Sequence, residues 1–214
     1  MKIENALTVR IKICGMTNAE DAVAAAELGA DAIGFVFAPS PRQISPEKAL
    51  EIIMALPPLV QTVGVFVDED PDKVASIAAS CHLDLLQFHG KESAAYCRRF
   101  ERRVIKAVRV SHEDHLKVCS EYRSIVDALL LDTYVPGRCG GTGLTFDWSL
   151  ALEAKTYGRI ILAGGLNPDN VAAAISAVKP YAVDASSGLE QEPGVKDHNK
   201  MARFIQTVRH VGRG

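Results

Sequence analysis

Short runs of Val, Ile and Leu alternate along the chain with segments whose apolar positions fall at helical spacing, about eight times from end to end. The runs predict strands at 9–14, 31–37, 61–67, 84–88, 104–108, 127–132, 159–163 and 181–184. Most are apolar through their length, the pattern of strands covered on both faces. Between them, Asn18, Ser45 and Asn167 stand where helices should be capped. Pro46, Pro71 and Pro168 fall early in their helices, where a missing N–H costs nothing. Gly29 and Gly158 mark returns to the sheet. Such alternation calls for a parallel sheet wrapped by helices, and eight units close most readily into a single (β/α)8 TIM barrel. An open doubly wound sheet would carry a glycine fingerprint after its first strand, but that place holds C-G-M-T-N.

Composition narrows the reading further. The 214 residues, 48% hydrophobic, suffice to bury roughly 70% of the unfolded surface in one core. No linker or low-complexity stretch divides them, so residues 1–214 are expected to form one domain. Lys and Arg number 24 against 26 Asp and Glu, for a net charge of −2, and the basic residues are scattered. Nucleic acid is therefore not an expected partner. No run approaches the roughly 18 apolar residues of a membrane span, and Met1–Thr8 lacks a leader pattern, so a cytoplasmic protein without a membrane partner is expected. Five cysteines, at 14, 81, 97, 119 and 139, include no C-x-x-C pair, which disfavours a disulfide framework or zinc site. Neither a metal nor a cofactor is expected, and the assembly is left as monomer or homodimer.

Against that background, two residues carry the chemical signal. Cys14 ends V-R-I-K-I-C and Asp132 ends A-L-L-L-D, and each run is followed by a glycine-containing stretch. A thiol and a carboxyl group at the carboxyl ends of two strands can serve one substrate as general base and general acid. Alternation puts Arg10, Lys12 and Cys14 on one face of the first strand and Val9, Ile11 and Ile13 on the other, which should meet the helices. Burial beside apolar neighbours would raise the pKa of Asp132, as an acid needs. Asp127 reads instead as a cap. Two glycine turns close the last strands, A-G-G-L-N with Gly164 and Gly165, and S-S-G-L with Ser187 and Gly188. Main-chain N–H groups there suit a phosphate, which barrels often hold between loops seven and eight. Arg42, in a proline-braced loop, offers a planar fork for a substrate carboxylate. His89, closing L-L-Q-F-H-G, and Asp184, closing Y-A-V-D, point to the same mouth. The stretch from Thr133 to Thr145, with Gly141 and Gly143, is a candidate lid. The expected partner is thus a small phosphorylated substrate.

K-I-C-G-M-T at 12–17, G-F-V-F-A-P-S-P-R at 34–42, Q-F-H-G at 87–90, L-L-L-D-T at 129–133, G-G-T-G at 140–143, G-G-L-N-P-D-N-V at 164–171 and V-D-A-S-S-G-L-E at 183–190 together resemble the phosphoribosylanthranilate isomerase family. The resemblance runs from the first strand to the last helix. It implies an Amadori rearrangement in tryptophan biosynthesis that needs no metal or cofactor, with Cys14 as general base and Asp132 as general acid. It further implies that Arg42 meets the anthranilate carboxylate, that Gly141, Gly143, Gly165, Ser187 and Gly188 hold the phosphate, and that Asp184 lines the pocket. Related barrels of the histidine pathway usually carry paired aspartates, where this chain has Cys14.

Overall fold

The structure is a computed structural model that describes residues 8–109, 114–132 and 148–211. Eight parallel strands close in chain order into a barrel, with the last pairing back to the first. They are β1 (Arg10–Cys14), β2 (Ala32–Val36), β3 (Gln61–Phe66), β4 (Leu85–Phe88), β5 (Arg103–Arg109), β6 (Ala128–Asp132), β7 (Ile160–Ala163) and β8 (Ala182–Ala185). Every predicted strand is present, displaced by no more than one residue at either end. The helices are α1 (Ala19–Leu28), α2 (Pro46–Met54), α3 (Pro71–Ser80), α4 (Ala94–Cys97), α5 (Asp114–Glu121), α6 (Trp148–Ala154), α7 (Val171–Val178) and α8 (His198–Val211). A small antiparallel hairpin, β9 (Glu190–Glu192) and β10 (Val195–Lys196), lies between β8 and α8.

The two-residue period of the strands sorts side chains into two layers. Ile11, Ile33, Phe35, Phe66, Leu86 and Phe88 point outward into a continuous core shared with helix residues such as Phe204. Val63, Leu85, Ile105, Leu130 and Ile161, with alanines 107, 128, 163 and 182, fill the barrel itself. Each fully buried side chain of this size contributes about 1.5–3 kcal/mol. The chain places Lys12 and Cys14 inward and Ile11 and Ile13 outward, as the alternation requires.

Caps explain where most helices begin. The Asn18 side chain accepts the Asp21 N–H, and Ser45 accepts that of Lys48 with Pro46 in the first turn. Asp70 serves α3, ahead of Pro71. Asn167 differs from expectation. Its side chain accepts the N–H groups of Asp169 and Asn170 and so closes a turn, Pro168 sits inside that turn, and α7 starts only at Val171. At C-terminal ends, Gly29 takes the left-handed conformation, φ 105°, which glycine adopts without strain.

Asp127 is not a helix cap. It belongs to a repeated clamp at the amino-terminal end of the barrel: Asp31, Asp84 and Asp127 each stand one residue ahead of an even-numbered strand. Each carboxylate accepts a backbone N–H from the second residue of the preceding strand, Ile11 (2.8 Å), Thr62 (2.7 Å) and Val104 (2.9 Å). Tyr181 takes the corresponding place ahead of β8. Near the other end, Lys106 and Glu92 form a buried ion pair at 2.9 Å. Lys106 also donates to the carbonyls of Phe88 and Gly90, and Glu92 accepts the N–H groups of Asp68 and Gly90. The loop that follows β4 is thereby fixed.

Candidate active site

The carboxyl ends of the strands surround a cavity of about 400 Å³. Its floor comes from β1 and β8. Lys12 and Asp184, both inward-facing, are bonded at 2.8 Å with side-chain exposures of only 4% and 10%, and Cys14 stands one inward step above Lys12. A Cβ added at Gly34 would lie 2.7 Å from the Cys14 sulfur and 3.2 Å from Cε of Lys12. Glycine at 34 is thus what lets thiol and lysine stem pack together against β2. Burial pushes the Cys14 thiol up from its ordinary range; the Lys12 charge opposes that, and the Asp184 charge reinforces it. Burial also acts to lower the Lys12 ammonium, but Asp184 and Cys14 outweigh it and hold its pKa above the usual value.

The facing wall belongs to β4, β5 and β6. Asp132, at the end of β6, meets Nε2 of His89 through Oδ2 at 3.2 Å, and Nδ1 of His89 lies 3.3 Å from the Gln87 amide nitrogen. If Nδ1 accepts from that amide, Nε2 carries the ring proton and donates to Asp132. Oε1 of Gln87 is buried without a hydrogen-bond partner among the described residues. Arg109, paired in register with Asp132, reaches the cavity from β5.

The remaining rim is built by loops. Gly164 and Gly165 take positive φ, 87° and 69°, after β7. Gly188 lies against the Leu166 carbonyl so closely that a Cβ there would collide with it, which brings the loops after β7 and β8 into contact. Ser187 opens a short 3-10 turn, Ser187–Leu189, on the same rim. Arg42 lines the cavity from the loop after β2, and its stem packs over Gly15, whose φ is 79°. Glu190 accepts from Arg42 Nε at 2.7 Å and Nη2 at 2.6 Å. Lys196, fully buried, donates to Glu190 Oε1 (2.8 Å), to the Cys14 carbonyl (2.7 Å) and to the Ser186 carbonyl (3.4 Å). Burial would raise the Glu190 carboxyl, but Arg42 and Lys196 hold it below the usual carboxylate range. Burial draws the Lys196 ammonium down, partly offset by Glu190.

Cys14, Arg42, His89, Asp132, Gly164, Gly165, Asp184, Ser187 and Gly188 therefore share one cavity. Gly141 and Gly143, with the candidate lid from Thr133 to Thr145, lie outside the described residues. Sequence reasoning gave no role to Lys12, Gln87, Arg109, Glu190 or Lys196. Period-two alternation put Lys12 on the face of Cys14 without giving it a role, and could have found Gln87, two residues before His89 on the same face. Nothing local marks Lys196, whose partners come from β1 and the loop after β8. A second cavity, about 440 Å³, opens at the opposite mouth and is lined in part by Arg10, Asp31, Leu59, Arg103 and Tyr181. No glycine rim accompanies it. Among the described residues there is no group of three or more His, Cys, Asp or Glu side chains arranged to hold a metal ion.

Residues 11–207 match the family described as N-(5'phosphoribosyl)anthranilate (PRA) isomerase. The N-(5'-phosphoribosyl)anthranilate isomerase of Geobacter sp. (strain M21) is 55% identical over 203 residues, 94% of this chain and 98% of that protein. The crystal structure of phosphoribosyl anthranilate isomerase from Thermotoga maritima superimposes with a TM-score of 0.88 at 49% identity, covering 94% of this chain and 99% of the other. A second crystal structure, of a phosphoribosyl anthranilate isomerase in complex with reduced 1-(o-carboxyphenylamino)-1-deoxyribulose 5-phosphate, gives 0.86 at 46% identity, covering 94% and 99%.

Proposed function

The chain belongs to the N-(5'-phosphoribosyl)anthranilate isomerase family, and from that premise we propose how its barrel mouth carries out the family's reaction. The protein is an isomerase of tryptophan biosynthesis, converting N-(5'-phosphoribosyl)anthranilate to 1-(2-carboxyphenylamino)-1-deoxyribulose 5-phosphate by an Amadori rearrangement.

In our reading, Asp132 in its protonated form gives its proton to the furanose ring oxygen while the anthranilate nitrogen pushes the ring open to a Schiff base. Cys14 as thiolate then removes the proton from C2′. The resulting enolamine gains a proton at C1′ and loses one from the C2′ hydroxyl to become the ketone. Each step is a proton transfer, which a thiol and a carboxyl group can supply. The division needs Asp132 protonated and Cys14 ionised together, the reverse of the ordinary order of carboxyl and thiol. His89 is proposed to hold Asp132 and to touch the substrate, and Asp184 to line its ribose. Glu190 occupies one edge of the Arg42 guanidinium, and the Nη1/Nη2 edge remains the right shape for the anthranilate carboxylate. Gly164, Gly165, Ser187 and Gly188, with Gly141 and Gly143, are proposed to hold the phosphate through backbone N–H groups. We propose further that residues 1–214 act as one domain, in the cytoplasm, as a monomer or homodimer; sedimentation of a larger species would contradict the last point.

The observation that carries this reading is that Cys14 and Asp132, on β1 and β6, line the same cavity as the glycine rim of β7 and β8. Cys14→Ser and Asp132→Asn are each expected to lower kcat by about 10² or more with KM little changed. Near-normal turnover in either variant removes that residue from the chemistry.

A further inference from the structure

We propose that Lys12 is the positioning residue that makes Cys14 a usable base: its ammonium, clamped by Asp184, stabilises the thiolate and fixes the sulfur in place. The proposal rests on the assignment of Cys14 as the base. Three observations carry it. First, Lys12 and Asp184 form a buried ion pair inside a barrel whose other buried inward side chains, Cys14 and Gln87 apart, are Val, Leu, Ile and Ala. Taking two charges out of water costs more than filling the same space with apolar groups, so packing alone does not account for the pair. Second, the Gly34 notch holds the Cys14 sulfur and the end of the Lys12 stem against the same α-carbon. Third, the Lys12 charge favours the thiolate and so opposes the upward push of burial on the Cys14 thiol.

The other charged groups facing Cys14 are largely spoken for. Asp184, from β8, is bonded to Lys12. Arg42, from the loop after β2, and Lys196, from β10, both share Glu190 of β9, and Lys196 spends a further bond on the Cys14 carbonyl. Across the cavity stand His89, Asp132 and Arg109. Lys12 and Asp184 stand in register on neighbouring strands, one inward step before Cys14, and the thiolate is the second anion that Lys12 faces.

The test is the pH dependence of Cys14 alkylation by iodoacetamide in the substrate-free full chain, read by mass spectrometry of the Cys14 peptide. The variants are Lys12→Met and the double replacement Lys12→Met with Asp184→Leu. The double variant removes both charges at similar volume and so leaves no stranded carboxylate. Loss of the cation should move the alkylation midpoint about 1 pH unit or more upward in Lys12→Met, and by a smaller upward step in the double variant. In Lys12→Met, kcat should fall about tenfold or more while KM stays within about threefold. A parent-like midpoint in the folded double variant overturns the proposal. Because the alkylation needs no turnover, its outcome is independent of whether Cys14→Ser abolishes activity, so failure of the lysine's role and failure of the base assignment are read separately.

Discussion

At the scale of single residues, position along a strand carried most of the information. The place of Cys14 and Asp132 at one cavity was legible because an ionisable group at the carboxyl end of an apolar run, followed by a glycine-containing stretch, has few structural uses. What surrounds them was not legible: Lys12 meets Asp184 across 172 positions of sequence, and Arg42 meets Glu190 across 148. Such pairs exist only once the barrel has closed, and no local pattern encodes them. Gly188 shows the same limit from the other side. The sequence marks it as a turn glycine, while the structure shows that it lets the loops after β7 and β8 touch at the Leu166 carbonyl. Gly188→Ala should force those loops apart and raise KM for the phosphorylated substrate about tenfold or more, with a smaller effect on kcat. Steady-state kinetics check this, and an unchanged KM would separate the contact from phosphate binding.

Elements were legible in proportion to their periodicity. All eight barrel strands have the apolar run that burial on two faces demands, and so their ends were found to within one residue. The hairpin of β9 and β10 escaped because E-Q-E and V-K are too short and polar to carry a strand signal, although Lys196 within it braces both β1 and the loop after β8. The start of α7 was misplaced because Asn167 bonds to the next N–H groups whether a helix or a turn follows. The Lys106–Glu92 pair tests how much an element depends on buried charge. Lys106→Met leaves Glu92, only 1% exposed, without its cation. A cost of about 3 kcal/mol in urea unfolding is expected, with loosening of the loop that carries His89. A loss below about 1 kcal/mol would show that the backbone N–H groups of Asp68 and Gly90 suffice for Glu92.

For the whole molecule, closure of the sheet turns eight separate strand ends into one ring, and function follows from which end carries the chemistry. At the amino-terminal mouth the clamp of Asp31, Asp84 and Asp127 ties successive strands together. At the carboxyl mouth the inward positions become polar and the loops become glycine-rich. That division of labour between stability and chemistry is general for the fold. Here it gathers residues from position 14 to position 188 around one cavity. The most direct measurement is the loss of anthranilate fluorescence when the parent chain meets freshly generated N-(5'-phosphoribosyl)anthranilate, corrected for spontaneous hydrolysis and set beside Cys14→Ser. The expected result is rapid decay to the ribulose phosphate product in the parent and about 10²-fold slower decay in the variant. Decay at the hydrolytic rate in both, with the ribotide still bound, would contradict the account.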